Sequence, residues 1–203
     1  MGGTMDDTKR QQRGNTRQRI QDVALELFAE QGYEKTSLRE IAERLEVTKA
    51  ALYYHFKTKE EILVSLFEDL TQPIEELIEW GKSQPRTLDT KQEIVRRYSE
   101  ALAEALPLFR FVQENQATLK ELRTGERFRE RLLGLREILV DPHAALVDQV
   151  RCVSAVFTMH AGMIALNDLP GTDEEKREAV LEVATTLITE AHQATHTAAT
   201  QGR

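Results

Sequence analysis

An all-α fold is predicted by three observations. Apolar residues recur at offsets of three and four along most of the 203-residue chain, capping boxes of the Ser/Thr-x-x-Glu type punctuate it, and no window alternates apolar and polar residues between hairpin dipeptides. From about Thr16, the residues Ile20, Val23, Ala24, Leu27 and Phe28 mark one face of a first helix, and Gly32 stands where a left-handed cap ends it. Ser37-x-x-Glu40 opens a short second helix that buries Leu38, Ile41, Ala42 and Leu45. A third starts at Thr48 and carries Ala51, Leu52 and Phe56 inward. Thr58-x-x-Glu61 launches a long fourth helix through Leu63, Leu66 and Leu70, in which Pro73 introduces a kink before Gly81 and Pro85 end it.

The same signals continue to the C-terminus. Thr90-x-x-Glu93 starts a fifth helix that runs to Pro107, a sixth covers residues 108–122 and a seventh residues 126–139. Asp141-Pro142 reads as an N-cap followed by proline at the first helical position of an eighth helix reaching Asn167, and Thr172-x-x-Glu175 opens a ninth that ends near His192. Residues 1–12 lack periodicity and are expected to form a disordered arm, residues 13–60 a first domain and residues 61–203 a helical body.

Composition narrows the function classes. No apolar run approaches the roughly 20 residues that cross a bilayer, and the first thirty residues have no apolar secretion core, so no membrane association and a cytoplasmic protein are expected. Cys152 is the single cysteine and reads as small buried filler, which excludes a disulfide framework. The net charge is −7, unevenly spread. Residues 8–59 hold 11 Lys and Arg against 7 Asp and Glu, whereas the rest of the chain holds 16 against 27. A weakly basic head on an acidic body suits a polyanion partner at one end only.

The catalytic and metal readings are weak. His192 and His196 are four apart but lack a third ligand, His160 has no nucleophile in a glycine-rich elbow beside it, and there is no phosphate-cradling glycine loop. No enzyme, cofactor or metal is expected.

The second and third helices, joined by a few residues around Glu46 and Val47, have helix-turn-helix proportions, in which the third helix enters a major groove. With Leu52 and Phe56 facing the core, Lys49, Ala50, Tyr53 and Tyr54 turn outward. Lys49 can reach guanine acceptors or phosphate, the Ala50 methyl suits a thymine methyl, and Tyr53, Tyr54 and His55 can donate to phosphate oxygens. Helix-start amides near Ser37 and Thr58 suit phosphates, with Thr36 and Lys59 beside them.

The run Leu52-Tyr53-Tyr54-His55-Phe56-Lys57-Thr58-Lys59-Glu60-Glu61, preceded by Thr36-Ser37-Leu38-Arg39-Glu40-Ile41-Ala42 and by Phe28-Ala29-Glu30-Gln31-Gly32-Tyr33, resembles the DNA-binding domain of TetR-family transcriptional repressors over residues 16–63. The resemblance implies phosphate contacts from Thr36, Ser37, Tyr54, His55 and Lys59, base approach by Arg39 and Lys49, and a base or sugar contact from Tyr53, with Arg17 and Thr48 in the same interface. Many members carry glycine where Ala50 and Glu46 stand. Glu46 must then make the turn without glycine's freedom at positive φ, a strain of about 1 kcal/mol.

The resemblance further implies a homodimer on a pseudo-palindromic double-stranded operator, joined through the last two helices, and a small-molecule effector bound in the body. Apolar stripes support the first point: Leu146, Val150, Val153 and Phe157 on the eighth helix, Val180, Val183 and Leu187 on the ninth. An effector pocket is sought among Tyr98, Leu102, Phe109, Phe111, Phe128, Phe157, Met159, His160 and Met163, with Trp80 as an outlying member and Gln113, Asn115, Arg123 and His160 as polar groups to orient an apolar or aromatic ligand. Two other readings stand beside this one: an activator or regulator controlled by a protein partner, and a helical small-molecule binding protein without an operator.

Overall fold

A computed structural model describes residues 4–114, 124–166 and 168–201 of the chain. Among the described residues there are eight α-helices and no strand: α1 (Thr4–Gln31), α2 (Leu38–Arg44), α3 (Lys49–His55), α4 (Lys59–Ser83), α5 (Leu88–Glu114), α6 (Thr124–Leu139), α7 (Leu146–Ala165) and α8 (Asp173–Gln201). They divide into two compact units. One holds the chain through Asp69 together with the end of α5 from Leu108, and the other holds Leu70–Pro107 with α6 to α8. The division between these two packing units falls inside α4 and α5.

In the first unit the expected caps are present. Gly32 has φ +90° and donates its amide to the Phe28 carbonyl at 3.0 Å, closing α1. Ser37 and Glu40 form a complete capping box at the start of α2. At its end, Glu46 adopts φ +56°, its amide bonds Glu43 O at 3.1 Å and the Val47 amide bonds Ala42 O at 3.0 Å. That is a Schellman pattern made without glycine. Thr48 caps α3 by accepting from the Ala51 amide at 3.2 Å. Ile20, Ala24, Leu27 and Phe28 of α1, Ile41 and Ala42 of α2, Leu52 and Phe56 of α3, and Ile62 and Leu63 of α4 are all buried. Gln21 of α1 donates to Ser65 Oγ of α4 at 2.9 Å, a buried polar link between the two longest members.

In the second unit, reciprocal close approaches set the helix spacing. A β-carbon added to Gly81 of α4 would lie 2.8 Å from Ile138 Cδ1 of α6, and one added to Gly134 of α6 would lie 2.8 Å from Ile78 Cδ1 of α4. Gly162 of α7 faces Val180 of α8 still more closely, at 2.5 Å. Arg131 of α6 donates to Thr71 Oγ1 and Glu75 Oε1 of α4, at 2.7 and 2.9 Å. The Arg86 guanidinium covers the C-terminal carbonyls of α6, reaching Val140 O at 2.9 Å and Glu137 O at 3.0 Å.

Four expectations are corrected. Helix α1 begins at Thr4, not near Thr16, because the Lys, Arg and Gln residues before Gly14 are strong helix formers; the disordered arm expected for residues 1–12 is thus helical from Thr4, and residues 1–3 lie outside the described ones. Pro107 does not end a helix: α5 runs through it, so the expected fifth and sixth helices are one and the described helices number eight rather than nine. Loss of one donor there is outweighed by Ala105, Leu108 and Phe111, buried on either side of the proline. Asp141 does not cap α7; its Oδ1 accepts the His143 amide at 2.9 Å in a turn, and the helix starts at Leu146. The Thr172 and Glu175 capping box does open α8, which continues past His192 to Gln201.

No helix among the described residues is long and apolar enough to cross a membrane.

Candidate nucleic-acid interface

Helix α3 has two faces. Leu52 and the capping residue Phe56 are 0% and 1% exposed, whereas Tyr54 is 64% exposed and Lys49 and Ala50 are exposed beside it. Thr48 is exposed, and Tyr53 and His55 are half-buried. Ala51, expected to point inward, is exposed too. It adds a second methyl next to Ala50 and makes that part of the helix surface smooth enough for close approach. The Lys49 ammonium lies 5.4 Å from the centre of the Tyr53 ring, and the Tyr54 and His55 rings meet edge to face at 5.2 Å. One cation and five small or aromatic side chains thus lie along the exposed and half-buried sides of α3.

Residues around α3 fall into two groups. Arg17 of α1 stacks its guanidinium 4.5 Å from the centre of the Phe56 ring, which brings a cation to the C-terminal edge of α3. Arg39 is exposed on α2 and pairs with Glu43 one turn on at 2.7 Å. Lys57, outside the candidate set, is exposed and donates to the Tyr53 carbonyl. Its position four residues after Tyr53 is the signal that places it there.

The second group is committed to the framework. Thr36, expected to touch phosphate, is buried, and its hydroxyl donates to Gly32 O and Leu27 O at 2.9 and 3.3 Å. Lys59 donates to Tyr33 O at 2.6 Å and its ammonium lies 4.4 Å from the centre of the Tyr33 ring, so it pins the start of α4 to the loop after α1. Ser37 gives both its hydroxyl and its amide to the Glu40 carboxylate, at 2.8 and 2.7 Å. Those bonds, the hydroxyl's first, hold the Glu40 carboxyl below the usual carboxylate range, so an anion sits where a phosphate contact is expected.

The pocket candidates do not form one site. Tyr98 and Leu102 of α5 are buried, and Tyr98 Oη meets His160 Nε2 of α7 at 2.8 Å. With Nδ1 directed at Val156 O at 3.2 Å, the neutral tautomer that donates there accepts the tyrosine hydroxyl at Nε2. Burial lowers the His160 pKa and raises that of Tyr98, so both stay uncharged. Phe111 is corrected: it belongs to the first unit, stacked on Phe28 at 5.5 Å and 6.3 Å from Tyr33. The side chains of Phe109, Gln113, Phe128 and Met163, with Asn115 and Arg123, lie outside the described residues. Phe157 lines a slot of about 220 Å³ formed with Leu132, Leu133, Val153, Val156, Arg129 and Arg136. The three-and-four spacing of residues 129, 132, 133 and 136 marks that face of α6.

Known proteins share both levels of this organisation. Residues 20–66 match the family described as bacterial regulatory proteins, tetR family. Over 59 residues the chain is 48% identical to the HTH-type transcriptional regulator AcrR of Shigella flexneri, covering 29% of this chain and 27% of that protein. Over 120 residues it is 30% identical to the probable acrEF/envCD operon repressor of Escherichia coli strain K12, covering 59% and 52%. These matches span about a quarter and about a half of the two relatives' own length. A transcriptional regulator of the TerR/AcrR family from Aquifex aeolicus VF5 has the same fold, with a TM-score of 0.67 at 22% identity over 82% of this chain and 96% of that one. The likeness to the tetR family of bacterial regulatory proteins thus runs through residues 20–66, the helices that carry the α3 surface.

Proposed function

We propose that the chain is a homodimeric transcriptional repressor that binds a pseudo-palindromic operator through α3 and leaves it when a small apolar or aromatic effector enters the body. The observation that carries this reading is the α3 surface itself: Lys49, Ala50, Ala51 and Tyr54 exposed around the buried pair Leu52 and Phe56, inside the segment that matches the family. Lys49 and the two alanines read base edges, and Tyr54, His55 and Arg17 grip the backbone.

Two further features support the finer points. On α7, Leu146, Val147, Val150 and Phe157 are 76, 56, 53 and 54% exposed, while Cys152, Ala155, Val156 and Met159 are buried on its other side. A helix with apolar residues on its exposed side as well as its buried one calls for a second cover, and a second copy supplies it while setting two α3 helices about 34 to 36 Å apart for successive major grooves. The apolar slot containing Phe157 suits an effector. Helix α4 runs from Lys59 to Ser83 with Pro73 inside it, and its residues belong to both units, so it is the element through which an effector in the body would act.

The test is fluorescence anisotropy with duplex from the chain's own upstream region against random duplex, at several salt concentrations. Tighter, salt-sensitive binding to the former is expected. Lys49→Ala relaxes sequence preference at a cost of about 1–3 kcal/mol, while Tyr54→Phe weakens both duplexes alike. Equal affinity of the unaltered protein for both duplexes rejects the reading.

A further inference from the structure

Between α4 and α5, within the second unit, lies a hollow of about 370 Å³ lined by Pro73, Glu76, Leu77, Trp80, Arg97, Glu100, Ala101 and Glu104. Its floor is apolar, since Leu77 and Ala101 are buried, and its aromatic wall is Trp80. The face of that indole is already occupied by a cation of the chain itself: the Arg97 guanidinium carbon stands 4.2 Å from the centre of the ring. Arg97 is drawn back at the same time by Glu93, at 2.6 Å. The hollow therefore contains three carboxylates, one aromatic face and a single positive group that has an alternative partner one turn away.

We propose that this hollow is a binding site for a small organic cation with an apolar body, such as an aryl or alkyl quaternary ammonium or phosphonium, and that Arg97 is the internal stand-in it displaces. Three physical points agree. A cation stacked on indole gains from the ring's negative face, and gains more as water is excluded. Glu100 is paired with Arg96 at 2.5 Å, but Glu76 and Glu104 still outnumber Arg97, so the local field favours a positive ligand and disfavours an anion of the same shape. The volume lies within the range of small-molecule sites, and the buried Leu77 and Ala101 give the ligand's apolar part a surface to cover. On displacement Arg97 keeps its bond to Glu93, so the exchange leaves no charge without a partner. The hollow shares no residue with the slot that holds Phe157, and the proposal concerns binding alone; it stands or falls independently of operator recognition.

Trp80 is the only tryptophan of the chain, so its emission reports the site directly. The full chain is titrated with tetraphenylphosphonium and, separately, with tetraphenylborate, which has the same shape and the opposite charge. Saturable change in Trp80 emission with the cation, and at least tenfold weaker binding of the anion, are expected. Glu104→Gln weakens the cation several-fold, whereas Glu182→Gln, an equal loss of charge on α8, leaves it unchanged. Arg97→Leu tightens cation binding about tenfold by removing the internal competitor, and Trp80→Leu abolishes it in calorimetry. Equal binding of the two ions, or weaker cation binding by Arg97→Leu in a chain that circular dichroism shows folded, overturns the proposal.

Discussion

Glu46 carries the one left-handed backbone of a non-glycine residue among the described residues, at φ +56°, and it does so at the turn on which the orientation of α3 depends. A side chain in that conformation costs about 1–2 kcal/mol, and glycine's greater freedom in the unfolded chain costs about 0.5–1 kcal/mol in return. Glu46→Gly is therefore expected to raise stability by up to about 1 kcal/mol, read as a higher midpoint in chemical denaturation at unchanged slope; a lower midpoint would show that the turn is not strained. Lys49, Ala50 and Tyr54 were legible as exposed residues of α3, because Leu52 and Phe56 at i and i+4 fix which way their neighbours point, whereas Ala51 was expected inward and is exposed. Thr36 and Lys59 were not legible in this way. Their polar ends are taken by carbonyls of Leu27, Gly32 and Tyr33, and which carbonyl lies within reach of a side chain is a property of the folded loop.

Among the helices, the contrast between Gly162 and Gly134 shows how spacing is set. At Gly162 a methyl would meet Val180 Cγ2 at 2.5 Å, and a β-branched side chain held at one rotamer cannot turn aside. At Gly134 it would meet the tip of Ile78 at 2.8 Å, which a change of χ2 can move. Gly162→Ala is expected to lower stability by about 1–2 kcal/mol, the overpacking outweighing the roughly 1 kcal/mol of helix propensity that alanine adds. Gly134→Ala, with the same gain and a softer neighbour, is expected to stay within about 0.5 kcal/mol of the parent. Thermal denaturation of the two variants side by side decides the point, since equal effects would mean that neither contact limits helix approach. The boundaries at Pro107 and Asp141 teach a related lesson. Proline and an N-cap residue state a local preference, and at both places the neighbours overrode it: buried residues flanking Pro107, and a turn that used the Asp141 carboxylate first.

For the molecule as a whole, the unspent apolar surface lies on α7 and α8, where Leu146, Val147, Val150, Phe157 and Val183 are each at least half exposed. If a second copy covers it, one charge in that surface should separate the copies without unfolding either. Val150→Glu is expected to shift sedimentation from dimer toward monomer, and to weaken operator binding through loss of the paired α3 helices while the circular dichroism spectrum stays helical. Unchanged sedimentation would place the dimer contact elsewhere. The uneven charge acts at this scale too, with a basic excess in residues 8–59 and an acidic excess in the rest of the chain, so that a polyanion is favoured by the former and disfavoured by the latter.

By itself, the sequence determined the helical class, the caps that begin α2, α3, α4 and α8, the cap that ends α1, and the outward face of α3. All of these depend on residues within about five positions of one another, and the physics of a helix turn acts over that range. Only the tertiary structure decided that α4 and α5 each belong to two units, that Phe111 packs with Phe28 and Tyr33, that Tyr98 meets His160, and that Arg97 lies on Trp80. These pairings join residues 17 to 83 positions apart. Each depends on how helices are set against one another, and helical periodicity reports the apolar face of a helix without naming the partner that will cover it.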